Sequence, residues 1–405
     1  MLNRDTTQNT VTGFTKFVLV IAIIYVFFFP TSYKGTIIYN MYIPQNLFAI
    51  CVVLFCIFKN RVKLRSLETV LLLFLWLGIL TVTTSVLCRP NDFRIAYASI
   101  SAFIPTVLMW CVCFKDAHSA SISIKWLNFL SIVVLIWGWG IVIGNGLIIE
   151  FTGSLYSQLT DEMFNNMVLL RGKPVMSFGT HSLSSFFLLL MFYLHCIVIK
   201  EKKENLFTYV CMFLLLGLQI PMRSTTSVLL MGVMALLFVW AKNNVYTRIF
   251  LCLVGMIIVI VCIKNGYLTQ AIYILFGENS KQHGFMVRYF GDLYDGNFEM
   301  ILKYIGVGFL RSDSDMFRMN DSGPIYLLTQ GNIVALLAVY WLMYSFFKNN
   351  MNKYVKLTFW LFFLYELVSS VTFVTTEMFM AHVLVVFMIN SICRTENKEQ
   401  VSLKG

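Results

Sequence analysis

Five arginines, Arg171, Arg223, Arg288, Arg311 and Arg318, stand in polar breaks between long apolar stretches. A guanidinium keeps its charge at any physiological pH. Its planar fork matches two oxygens of a phosphate, so such a set suits neutralising a phosphorylated substrate or leaving group. The plainer reading of each is an arginine resting at a polar surface. Arg223 differs, because it lies in IPMRSTTS (220–227), a tight turn between two apolar runs. A charge there is costly unless an anion meets it.

Three further clusters carry groups able to do chemistry. SFGTHSLSSFF (177–187) places Ser177, His181, Ser184 and Ser185 at helical spacing, so a helix would set them on one face. The serines suit close helix packing; His181 suits either packing at an interface or contact with a substrate. LRSDSDMFRMNDSGPIYLL (310–328) holds Asp313-Ser-Asp315, a pattern that elsewhere binds a metal and a nucleotide sugar, and Asp321, just ahead of Ser-Gly-Pro. Asp321 could orient or deprotonate a hydroxyl, or simply favour the start of a helix through its dipole. Glu366 sits inside an apolar run with Ser369 and Ser370 near the same face; an ionisable group so placed is by default functional.

The elements that must hold these groups follow from composition. Of 405 residues, 58% are hydrophobic and 13% charged, against 45–50% and about 25% in soluble domains. The apolar runs extend almost end to end, which predicts one integral membrane domain over 1–405 built only of helices. The net charge of +11 fits basic membrane-proximal loops and anionic lipid better than nucleic acid. The ten cysteines lie mostly in apolar runs without CxxC spacing, which argues against a disulfide framework or a metal site.

Runs long enough to span hydrocarbon fall near 16–31, 41–58, 67–87, 96–114, 126–146, 177–199, 206–220, 227–241, 249–264, 323–347, 357–375 and 376–393. The expected fold is therefore all-α and polytopic, with about 12 transmembrane helices (10–12). With the N-terminus inside, the short inner loops are basic at every crossing: Lys59, Arg61, Lys63 and Arg65, for example, or Lys200, Lys202 and Lys203. That pattern places both termini in the cytoplasm. Two larger outer loops remain, about 147–176 and 265–322, and short amphipathic helices on the membrane surface are expected there.

The stretch 170–345 resembles the superfamily of bacterial O-antigen polymerases (Wzy type) and O-antigen ligases. The likeness rests on Arg171 ahead of SFGTHSLSSFF, on Arg223-Ser224-Thr225 opening a helix, and on GVGF (306–309) before GPIYLLTQGNIVALL (323–337). Where ligases often carry a histidine before that last helix, this chain has Asn320-Asp321-Ser322-Gly323, which is closer to polymerases. The arginine–glycine spacing of some polymerases is not kept after Arg171 or Arg311.

The resemblance implies a metal-independent glycosyltransferase of the bacterial inner membrane with no cofactor. It would join undecaprenyl-pyrophosphate-linked oligosaccharide repeat units on the periplasmic face into an O-antigen or capsule-type polysaccharide. Arg223 with Arg288 or Arg311 would neutralise the pyrophosphate, Arg171 and His181 would meet the donor or its sugar, and Asp321 would serve the acceptor hydroxyl. Membrane lipids and a chain-length regulator protein are the further partners it implies. Two rivals stand beside it: a ligase using a lipid A-core acceptor, and a non-enzymatic flippase of lipid-linked sugars.

Overall fold

The computed structural model describes residues 124–155, 172–178, 181–222, 224–239, 352–368 and 376–393, with shorter pieces within 17–27, 50–54, 248–259, 323–324 and 336–347. The described regular structure is entirely helical. Its continuous helices are α1 (Ile124–Ile143), α2 (Gly146–Leu155), α3 (His181–Lys200), α4 (Leu206–Met222), α5 (Thr225–Val239), α6 (Lys353–Val368) and α7 (Thr376–Cys393). Only parts of the expected spans near 16–31, 41–58, 249–264 and 323–347 are described; those near 67–87 and 96–114, and the loop 265–322, lie outside the described residues.

Chain ends of the helices are set by short-range chemistry. Backbone bonds from Gly144 N to Ile141 O (3.1 Å) and from Asn145 N to Gly140 O (2.8 Å) close α1, with Gly144 at φ 81°; this is a left-handed stop that satisfies two of the terminal carbonyls. Asn145 then starts α2, its side-chain oxygen accepting from Ile148 N at 3.2 Å. The α3–α4 turn repeats the device. Lys202 N bonds Ile199 O and Lys203 N bonds Val198 O, and Asn205 Oδ1 accepts from Thr208 N at 3.0 Å. Asn352 opens α6 in the same way, accepting from Tyr354 N at 2.9 Å.

Two expected boundaries move for physical reasons. The span placed at 177–199 begins at His181, because residues 172–178 form a non-helical segment with Gly172 at φ 54° and Met176 at φ 48°. Ser177 therefore does not share a helical face with His181. Its hydroxyl donates to Val26 O at 2.5 Å instead. The loop placed at 147–176 opens with α2, which doubles back along α1: Trp137 Nε1 donates to Thr152 Oγ1 at 2.8 Å, Trp137 and Phe151 rings lie 5.3 Å apart, and Ile148 fills the space over Gly140. α6 begins at Lys353, four residues before the expected 357, because Asn352 caps it.

Helix α3 is the axis of the bundle. It is apolar on all sides and buried from Leu183 to Ile199, as a helix enclosed by others must be. Helices α4, α5 and α7 pack directly on it. α1 crosses α4 through glycines on both partners: a Cβ at Gly138 would stand 2.7 Å from Leu218 Cδ1, and one at Gly217 would stand 2.9 Å from Trp139 Cζ2. Small residues permit that approach.

The outer helices invert the pattern of a water-soluble bundle. Phe129, Ile132, Ile136 and Ile143 of α1, Leu206, Val210, Phe213 and Ile220 of α4, Leu229, Val233, Leu236 and Leu237 of α5, and Trp360, Leu364 and Leu367 of α6 are exposed. Each set recurs at three- and four-residue steps, so each helix carries an apolar stripe on its outward face. By length and composition α1 and α3 suffice to cross a membrane; α2, α4 and the apolar parts of α5 and α7 are shorter.

Candidate functional site

Antiparallel packing brings the start of α3, the end of α4, the start of α5 and the end of α6 to one end of the bundle. Polar side chains concentrate there. Ser185 Oγ lies 2.5 Å from Gln219 Oε1 and 2.6 Å from Ser227 Oγ, while Gln219 Nε2 donates back to Ser185 O at 3.0 Å. Ser227 Oγ is 3.1 Å from both Ser224 Oγ and Tyr365 Oη. Tyr365 Oη donates to Ser182 O at 3.2 Å and lies 3.3 Å from Ser224 Oγ. Ser185, Gln219, Ser227 and Tyr365 are buried, where an unmade hydrogen bond is expensive.

Proton counting shows what this chain of hydroxyls can do. Each hydroxyl has one proton. The 2.5 Å contact with Gln219 Oε1 takes the Ser185 proton, because that amide oxygen can only accept. Ser227 can then donate to Ser185, and Tyr365 to the Ser182 carbonyl. Among the described residues, none of these contacts pairs a serine with an imidazole or a carboxylate, the pairing that a nucleophile and its base would make. Its evident work is to tie four helices together around the turn between Met222 and Ser224.

Beside this cluster lies Glu366, next in the chain to Tyr365 and fully buried. Its carboxyl group rests against the backbone of Gly323: a Cβ at that glycine would overlap Oε1, Cδ and Cγ of Glu366. Tyr340 Oη, buried and without a hydrogen-bond partner among the described residues, lies within electrostatic reach of the same carboxyl.

Of the groups singled out from the sequence, His181 is described. It is the first residue of α3, half-buried, one position before the Ser182 carbonyl that Tyr365 engages. Arg171, Arg223, Arg288, Arg311, Arg318, Asp313, Asp315 and Asp321 lie outside the described residues, although Met222 and Ser224 on either side of Arg223 are described. Sequence reasoning passed over Gln219, Ser227 and Tyr365. Gln219 carried the one available signal, an amide inside LLLGLQIPM (214–222).

The buried histidines serve packing. His195 Nε2 lies 2.9 Å from Ser131 Oγ, whose own proton goes to Leu127 O at 2.8 Å, so the histidine must donate through Nε2. His382 Nδ1 bonds Met378 O at 2.6 Å, and its ring sits 5.6–5.9 Å from Phe186, Phe362 and Phe347. Among the described residues no His, Cys, Asp and Glu group has the makings of a metal site.

The opposite end has a different character. Tyr354 Oη donates to Glu201 Oε1 at 2.5 Å, Tyr193 Oη to Tyr354 O at 2.8 Å, and Lys203 Nζ to Ile392 O near the end of α7. Lys200, Lys202 and Lys203, with Lys353 and Lys356 of α6, gather at this end. No known protein family, curated protein or solved structure matches the chain.

Proposed function

We propose that the chain is a multi-pass enzyme of the bacterial inner membrane, with about twelve spans and both termini in the cytoplasm. It polymerises undecaprenyl-pyrophosphate-linked repeat units into an O-antigen or capsule-type polysaccharide on the periplasmic side. The membrane part of this reading is supported by the outward apolar stripes on α1, α4, α5 and α6, since soluble monomers rarely leave such continuous apolar surface in water. The orientation is supported by the lysines gathered at the end marked by the 201–205 turn.

The catalytic part is carried by one observation. The buried hydroxyl network anchors both sides of the turn that contains Arg223. The sequence puts Arg223 between these two anchored ends, and a pyrophosphate leaving group is the anion the proposed reaction presents to such a guanidinium. In the proposed reaction a hydroxyl of one lipid-linked unit attacks the anomeric carbon of the other. The bond to pyrophosphate breaks, the leaving group keeps the electron pair, and the hydroxyl proton passes to a base, the role assigned to Asp321. Arg223, Arg171 and either Arg288 or Arg311 are assigned to the donor, with His181 beside it.

Deletion of the gene tests the reading. Loss of a polymerase leaves single repeat units attached to the cell's lipid A-core, or abolishes capsule polymer. Polymer stranded on the carrier lipid would mean a ligase instead. A ladder of ordinary length in the deletion strain would rule out both enzymes.

A further inference from the structure

We propose that Tyr365 and Glu366 form a positioning pair, which sets the turn between α4 and α5 against the chain stretch at Gly323; the inference rests on the transferase reading above. Neither residue has been given a role by that reading.

Successive residues of a helix point about 100° apart, so one short stretch of α6 addresses two neighbours. Tyr365 turns toward α3 and α5. Its ring is fully buried, 4.8 Å from Phe186, and its hydroxyl bonds Ser227, Ser224 and the Ser182 carbonyl. Glu366 turns the other way. Its carboxyl group occupies the space that a side chain at position 323 would need. Glycine is the residue that admits so close an approach. The last full turn of α6 therefore registers the 222–224 turn against Gly323-Pro324, and those are the two places where the sequence puts an arginine and an aspartate.

A carboxyl in a fully buried position suits this reading better than one of plain packing. An apolar side chain of similar size fills the same volume without the desolvation of an acid, so an acid in this place points to a requirement other than volume. Glu366 packs against the Gly323 backbone, the contact through which the proposed positioning is exerted.

The test uses full-length protein in membranes of a deletion strain, supplied with lipid-linked repeat units extracted from that strain. Five variants are compared: Tyr365→Phe, Glu366→Gln, Gly323→Ala, Glu366→Ala and the double Gly323→Ala/Glu366→Ala. Thermal unfolding in detergent reports the contact, and polymer formed per folded molecule, with donor varied, reports positioning. Gly323→Ala should lower the unfolding midpoint, and adding Glu366→Ala should restore it, because the new methyl then enters vacated space. Tyr365→Phe and Glu366→Gln should fold, keep the apparent KM, and lose turnover by roughly ten- to a hundredfold, the scale of a misplacement of about 1 Å.

Additive effects of Gly323→Ala and Glu366→Ala on unfolding would overturn the contact. Unchanged turnover in both Tyr365→Phe and Glu366→Gln would overturn positioning even with the contact intact. If the unaltered protein forms no polymer, the transferase reading fails and the positioning role falls with it, while the unfolding coupling still decides whether the contact exists.

Discussion

Ser185 and Gln219 grip each other twice: the serine hydroxyl meets Gln219 Oε1 at 2.5 Å and Gln219 Nε2 returns to the serine carbonyl at 3.0 Å. The two bonds close a ring between α3 and α4. In an apolar interior such a pair contributes about 1–2 kcal/mol, less than the gas-phase strength because the unfolded chain also finds partners. Gln219→Leu should lower stability by that amount, and Gln219→Asn nearly as much, since the shorter side chain cannot reach both atoms. Reversible unfolding in mixed micelles measures it; a change within experimental error for Gln219→Leu would mean that the ring does not form.

The two crossing glycines should respond differently to the same substitution. Gly→Ala in a helix gains about 1 kcal/mol of intrinsic propensity. At Gly138 the obstructing atom is the far end of Leu218, which can rotate, so Gly138→Ala should be close to neutral. At Gly217 the obstruction is the rigid indole of Trp139. Overpacking there costs about 1–3 kcal/mol, so Gly217→Ala should be destabilising, and Trp139→Leu should relieve it. Equal effects at both glycines would contradict the crossing geometry.

Lys202 stands at φ 56° in the α3–α4 turn, the position where a helix usually ends on glycine. A side chain there costs about 1 kcal/mol. Lys202→Gly should therefore raise the unfolding midpoint, while Lys202→Val should lower it, because a β-branched residue fits that backbone worst. Lys202 is exposed, so loss of its charge contributes little to either result.

For Arg223, Arg223→Ala should abolish polymer at normal levels of inserted protein. The flanking stretch 206–241 contains no acidic residue to act as a structural counter-ion, and the proposed reading gives that place to the substrate's pyrophosphate. Arg223→Lys should keep part of the activity, since it retains charge and loses the fork. Gel analysis of the polymer alongside immunoblots of the membrane fraction separates the cases; normal polymer from Arg223→Ala would remove the pyrophosphate assignment.

Local chemistry made several elements readable from the sequence. The run 376–393 coincides with α7, and 206 is the first residue of α4, because each is a predominantly apolar stretch beside polar residues. Ser177 was misplaced because its spacing to His181 suits a helix, yet Gly172 and Met176 adopt left-handed backbone and Pro174 intervenes. α2 falls in the outer loop placed at 147–176, where short helices are expected; at ten residues it is too short to span, and its apolar face is explained by its return onto α1. The hydroxyl network was least accessible. Ser185 meets partners 34 and 42 residues away, and Tyr365 meets partners 138 to 183 residues away. Pairings at such range are decided by which helix faces which, and a single chain read in order carries little record of that.

The enclosure of α3 has a bearing on how the protein is made. Nearly every side chain from Leu183 to Ile199 touches protein, so the finished bundle asks only that they pack. Yet the helix is as apolar as one bathed in lipid. On the membrane reading, α3 leaves the ribosome before α4, α5, α6 and α7 exist, and it must hold its place in the bilayer alone until they arrive. Its composition answers to that first environment and its shape to the second. A polar substitution on α3 would then act during synthesis as well as in the finished fold.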